Sequence, residues 1–129
     1  MAIQYRLTRM KDNISRDPKT GFYAQVVTRG TVDTQELCRD IANRCSLTVA
    51  DMKAAIEALT QTVEKRLLDG YNVNIGDLGI FSVSAESKTV EEPDKIHGQS
   101  VKVKNVNFRP SVRLKETMKK SNFVRINKK

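Results

Sequence analysis

At 129 residues, with a formal net charge of +8 and a pI of about 9.7, the chain is sized for one domain, or for one domain with a small added element, and not for a multidomain enzyme. The basic balance favours a polyanionic partner such as nucleic acid or an anionic membrane surface, and no helix combines a basic face with the Trp/Phe-rich one that the membrane would need. No run approaches the roughly eighteen apolar residues of a membrane span, and the opening MAIQYRLTRMKD lacks the apolar core of a signal peptide, so a cytoplasmic protein is expected.

The charge is unevenly placed. Residues 1–30 carry net +4, residues 31–84 net −3 and residues 85–100 net −2, while residues 101–129 hold ten basic groups against one acid and supply most of the positive field.

Ile3, Tyr5 and Leu7 alternate with Gln4, Arg6 and Thr8, and GFYAQVVT is rich in strand formers, which predicts a hairpin or strand pair over residues 2–29. Asp17-Pro18-Lys19-Thr20-Gly21 between them has the chemistry of a turn. From Thr31 the period changes: Asp33 and Glu36 have capping-box spacing, and Leu37, Ile41 and Cys45 recur every four residues, predicting a short amphipathic helix. Ser46-Leu47-Thr48 interrupts it. Thr48 and Asp51 repeat the start signal, and Met52, Ile56, Leu59, Val63 and Leu67 form an apolar stripe on a second helix ending near Asp69-Gly70, with Asp51, Glu57 and Glu64 on its solvent side.

Strand patterns follow. Val73 and Ile75 alternate with asparagines, GDLG makes a turn, and Phe81, Val83 and Ala85 alternate with serines. The return strand is expected from about Ser100. Val101 and Val103 have one parity and Val106 and Phe108 the other, so a bulge or bend near Lys104-Asn105 is required if all four face inward. Pro110 suits the first turn of a last helix over SVRLKETMKK, with Val112 and Leu114 inward, and residues 121–129 form a basic tail in which Phe123, Val124 and Ile126 could dock.

Helix, helix, GYNVNIGDLGIFSV, a long hairpin, then NFRPSVRLKETM: this order, over residues 31–120, resembles the HU/integration-host-factor family of bacterial histone-like DNA-binding proteins. The strands ahead of the first helix are similar to those of the larger HU-related proteins of Bacteroidetes. The resemblance implies an α+β, HU-like fold: a two-helix body, a β-sheet saddle with a β-hairpin arm, a short C-terminal helix and an added N-terminal strand pair, assembled as an intertwined homodimer. The chain then divides into an extension (1–30), an HU-like DNA-binding domain (31–120) and a tail (121–129). The dimer core would include Leu59 and Val63 from the second helix, with Leu78, Phe81, Val106 and Phe108 from the sheet; a single copy leaves these sheet residues and Ile80 poorly covered, and the plainer alternative is that the N-terminal strands cover them.

Lys102 and Lys104 alternate with valines, which places both on one face of the return strand, where they can track a phosphate backbone. Arg109, Arg113, Lys115, Lys119 and Lys120 continue the strip onto the last helix, and Lys88 is the one basic residue of the outgoing arm. A solvated lysine face is the plainer explanation, and the charge of the C-terminal block favours phosphate contact over it. The arm departs from the family. Its tip reads Glu91-Glu92-Pro93-Asp94 where the resemblance implies a basic tip with an intercalating proline. Pro93 reads as a turn residue, not a wedge. RDPKTG, Arg16 to Gly21, is similar to the family's arm tip, yet turn chemistry alone explains it; as a displaced prong it would use Pro18 as wedge and Arg16 and Lys19 as phosphate contacts.

Nothing in the sequence points to catalysis or a cofactor: there is no Walker A or GxGxxG loop and no nucleophile set that His97, the sole histidine, could serve. Cys38 and Cys45 lie two helical turns apart, too far for a disulfide, and no metal site is expected. The expectation is a non-enzymatic, histone-like architectural protein that binds double-stranded DNA as a homodimer with little sequence preference and condenses the nucleoid, with no membrane and no small-molecule substrate. The alternative is an HU-like dimerisation and protein-interaction module whose acidic arm docks a basic protein and whose DNA binding is weak or lost.

Overall fold

A computed structural model of the chain describes residues 2–10 and 21–126; the Asp17–Thr20 turn and the Arg16, Pro18 and Lys19 prong lie outside the described residues. The described chain has six strands and three helices: β1 (Ile3–Arg9), β2 (Phe22–Val27), α1 (Thr34–Ala42), α2 (Val49–Leu68), β3 (Val73–Ile75), β4 (Gly79–Glu86), β5 (Lys102–Pro110), α3 (Val112–Lys119) and β6 (Phe123–Arg125). It forms two compact units, residues 1–33 with 118–129, and residues 34–117.

The first unit is a three-stranded sheet in the order β2-β1-β6. β1 pairs antiparallel with β2, with Tyr5 opposite Val26 and Leu7 opposite Ala24, and parallel with β6, with Ile3 opposite Phe123. Strand pleating therefore collects Ile3, Tyr5, Leu7, Phe22, Ala24, Val26 and Phe123 on one face, with Arg9 and Arg125 at its ends. The other face is mixed, with Tyr23, Val27 and Val124 beside polar groups, and there Gln25 accepts from Thr8 Oγ1 at 2.9 Å and from Arg6 Nη2 at 3.3 Å. Extension and tail, separate pieces in the sequence, share this one sheet.

In the second unit α1 packs on α2, and Cys38 of α1 is fully buried, the only side chain of which this is true among the described residues. α2 begins as its sequence predicts: Thr48 accepts from the Asp51 backbone N–H, and Asp51 accepts from that of Thr48. Such a cap is worth about 1 kcal/mol. It ends in a Schellman motif, with Tyr71 N–H bonded to the Arg66 carbonyl, Gly70 N–H bonded to that of Leu67, and Gly70 at φ +91°. The Arg66 guanidinium lies over the Tyr71 ring, 5.8 Å from its centroid, which closes the motif from outside.

β3, β4 and β5 form an antiparallel sheet in that order. Gly79 is the tightest point of it: a Cβ there would lie 2.4 Å from the Arg109 carbonyl oxygen and 2.6 Å from Phe108 Cζ. The bare glycine lets the Phe108 ring settle across β4 against Phe81, with centroids 4.9 Å apart and planes tilted by 52°. Two expectations change here. Pro110 closes β5 and does not open the helix; Ser111 caps α3 instead, its Oγ accepting from Leu114 N–H at 3.0 Å. Val112, expected inward, is exposed, because the chain leaves the sheet one residue before it; Leu114 is half-buried.

Gly79→Ala forces a backbone or ring shift and should lower stability by about 1–3 kcal/mol or more, as overpacking does. Gly70→Ala, with open space around its Cβ, should cost only about 1 kcal/mol for its positive φ. Urea unfolding of the two variants checks the order; equal losses would contradict this account of Gly79.

Candidate nucleic-acid interface

The β4–β5 hairpin separates its residues by chemistry. Phe81 opposite Phe108, Val83 opposite Val106 and Ala85 opposite Val103 lie on one face; Ser82 opposite Asn107, Ser84 opposite Asn105, Ile80 opposite Arg109 and Glu86 opposite Lys102 lie on the other. Val103 and Val106 can share a face only because the register shifts between Ser84 and Ala85, so that Lys104 has no partner in β4. The predicted bulge is present. Lys102, opposite Glu86, belongs to the polar face, and Lys104 is the extra residue at the bulge.

The polar face therefore carries Lys102 at one end, Arg109 at the other, and a row of serine and asparagine side chains between them, with Ile80 the apolar exception. At the Arg109 end the sheet meets α3. Ser111 N–H donates to the Leu78 carbonyl at 2.9 Å and Ser111 Oγ to that of Asp77, which fixes the start of α3 against the β3–β4 turn. Asn74, Arg109, Ser111 and Lys115 line a shallow hollow of about 440 Å³ at this corner. An amide, a guanidinium and an ammonium around one concavity are a donor set suited to an anion of phosphate size, while the single proton of the Ser111 hydroxyl is given to Asp77. Lys119 follows Lys115 one helical turn later on the same side of α3, and Lys120 lies just beyond the helix. Arg113, grouped with these cations in the sequence, is engaged elsewhere: its Nη1 lies 2.8 Å from Asp77 Oδ2, an ion pair between exposed groups that locally balances its charge.

The far end of the hairpin is short. β3 pairs with β4 only as far as Phe81, and β4 ends at Glu86, so the two-stranded projection is Ser82 to Glu86, about 17 Å. Residues 87–101 contain no strand. Glu92 accepts from Lys95 N–H at 3.1 Å across a single 3-10 turn that Pro93 opens, as its fixed φ predicts, and Gly98–Ser100 form a second such turn. These turns gather Lys88, Lys95 and Lys102, with Glu86, around a hollow of about 560 Å³. Lys95 was missed from sequence; its only signal was the turn chemistry of Pro93-Asp94, which folds the tip back towards the hairpin base.

The residues expected in a dimer core fall on two surfaces of the second unit. Phe81, Val106 and Phe108 line the apolar sheet face, Leu78 sits at the β3–β4 turn, and Leu59 and Val63 lie on α2. Val63 and Phe81 are half-buried, whereas Val106 is 62% and Phe108 45% exposed. Among the described residues no cluster of metal-ligating side chains occurs, Cys38 and Cys45 are free thiols, and no helix is long and apolar enough to cross a membrane.

Known proteins resemble the chain in sequence and in fold. The chain is 34% identical over 53 residues to the DNA-binding protein HRL18 of Rhizobium leguminosarum, and equally to that of Rhizobium radiobacter. The match takes in 41% of the chain and 58% of those relatives, so the chain spans little more than half of their length. A solved structure from Bacteroides vulgatus ATCC 8482, provisionally assigned as a bacterial DNA-binding protein, superposes with a TM-score of 0.68 over 99% of the chain and 50% of the other; at 15% identity this shows a common fold. A family model described as an HU domain fused to wHTH, Ig or glycine-rich motif matches residues 1–125, and the chain thus belongs to this HU-related family of DNA-binding proteins.

Proposed function

We propose that the chain binds duplex DNA with little sequence preference, as a homodimer, and serves as a histone-like architectural protein of the nucleoid. The DNA-binding part is residues 31–120, and residues 1–30 and 121–129 are additions to it. One observation carries the reading: the hairpin holds its cations and hydrogen-bonding side chains on one face and its uncovered apolar groups on the other.

Lys102, Arg109 and Lys115 are the main phosphate contacts, with Lys104, Lys88, Lys119 and Lys120 adding to the field and Arg113 contributing least. Lys102 and Arg109 stand about 20 Å apart along β5, the rise of about six base pairs. Contacts to phosphate fix orientation and carry no sequence information. The polar face offers neutral side chains between the cations, and these suit sugar and phosphate oxygens. The 87–101 segment, with three carboxylates from Glu91 to Asp94, repels DNA at its tip, so intercalation there is not part of the proposal.

Dimerisation follows from the opposite face. Phe81, Val83, Val106 and Phe108 form a continuous apolar strip, and a second copy offers the same strip in a two-fold arrangement. Leu59, Val63 and Leu78 would complete the shared core.

Two predictions test the DNA contacts and a third the dimer. Binding should weaken steeply with salt, and replacing Lys102, Arg109 and Lys115 together by Ala should weaken it about equally for duplexes of any sequence and flatten the salt slope by about 0.9 for each phosphate that is no longer neutralised. Neutralising the tip with Glu91→Gln, Glu92→Gln and Asp94→Asn should change affinity by no more than about threefold, because distant exposed charges are screened. Fluorescence titration over a salt series reads both; salt-independent or absent binding would favour the protein-interaction reading instead. By light scattering Val106→Glu should at least halve the mass of the native assembly; a mass that this substitution leaves unchanged would remove the dimer through the apolar face from the proposal.

A further inference from the structure

Among the described residues, each sheet edge is guarded except one. β5 has Lys102, Lys104 and Arg109 along its length and a bulge in its middle, while β3 and β6 are only three residues long, β6 with Arg125. Short strands, charges and bulges are how sheets keep their edges from pairing with other chains. β2 has none of these. It runs six residues, Phe22 to Val27, without a charge or a proline, and pairs with β1 in unbroken register. Phe22 is 68% and Val26 61% exposed.

The hydrogen-bond phase says which groups lie open. Met10 N–H bonds to the Gly21 carbonyl at 2.8 Å, so Met10 and Gly21 are a hydrogen-bonded pair of the ladder. Alternation along the register makes Tyr23, Gln25 and Val27 the residues bonded to β1. Phe22, Ala24 and Val26 then direct their N–H and C=O groups outward from the sheet.

We propose that β2 pairs antiparallel with β2 of a second copy about a two-fold axis at Ala24. Ala24 faces Ala24 of the other copy, and Phe22 faces its Val26. These are the residues whose main-chain groups are open, and the pairing supplies about six new hydrogen bonds. It also joins like faces: Phe22, Ala24 and Val26 meet only apolar residues, and Tyr23 meets Gln25. A shift by one residue would break both matches. The occupant is a copy of this chain because the strand is complementary to itself. It is also neutral, in a protein whose net charge of +8 makes most surfaces repel one another. The result is a six-stranded sheet linking two chains through their N-terminal units, separate from the apolar face of β4 and β5.

Cysteine scanning tests the register. In the full chain carrying Cys45→Ser, which removes the exposed thiol, Ala24→Cys should form a disulfide-linked dimer under mild oxidation, since directly opposed residues of such a pair have Cα atoms about 5.5 Å apart. Val26→Cys, equally exposed but opposite Phe22, should crosslink at least tenfold less. Adding Val26→Lys to the Ala24→Cys chain should return crosslinking to that background. The Ala24 crosslink should persist with Val106→Glu, so its outcome is distinct from that of the dimer proposed above. Equal crosslinking at positions 24 and 26, or none at 24, overturns the pairing.

Discussion

One extra residue in β5 sets the chemistry of the second unit. With Lys104 bulged out of the ladder, Val103 joins Val106 and Phe108 on the face that holds Phe81, Val83 and Ala85. Without it, the strand would turn over halfway, mixing valines into the polar face and amides into the apolar one. The bulge converts an irregular sequence into a sheet with one side for protein and one for solvent or a polyanion. Gly79 matters for the same reason: by leaving room for Phe108 it lets the apolar side close up over β4.

The electrostatics follow from that separation. The most basic segment of the chain begins just after the acidic one, and the hairpin base is where they meet, with Lys102 directly opposite Glu86. From there the cations run along the polar face to the corner where Arg109 and Lys115 flank the start of α3. Ser111 holds that corner by three hydrogen bonds, and Arg113 braces it through Asp77. The carboxylates of the 87–101 segment stand beyond the hairpin, where a basic arm would be expected from the family resemblance.

Much of this was legible in the sequence because it is local or periodic. Thr48 and Asp51 announce the cap of α2, Gly70 its end, and the opposed parities of Val101 and Val103 against Val106 and Phe108 require the bulge that is found. Long-range partners were not legible. β6 is three residues long and pairs in parallel with β1 from the other end of the chain, with no periodicity to signal it. Arg113 reads as one more cation until the fold sets Asp77, 36 residues earlier, beside it. Lys95 reads as part of an acidic tip until two 3-10 turns bring it to Lys88 and Lys102. The bulge is legible in the parities of the valines, whereas the residue that it leaves unpaired, Lys104, is fixed only by the register with β4.

In the proposed mode of binding, DNA lies on the polar face of the hairpin and the start of α3, not on the 87–101 segment. Amide hydrogen exchange with and without a short duplex tests it most directly. Slowed exchange in residues 102–115, with residues 87–101 unchanged, is the expected result. Protection confined to residues 87–101, with none along β5, would contradict the account.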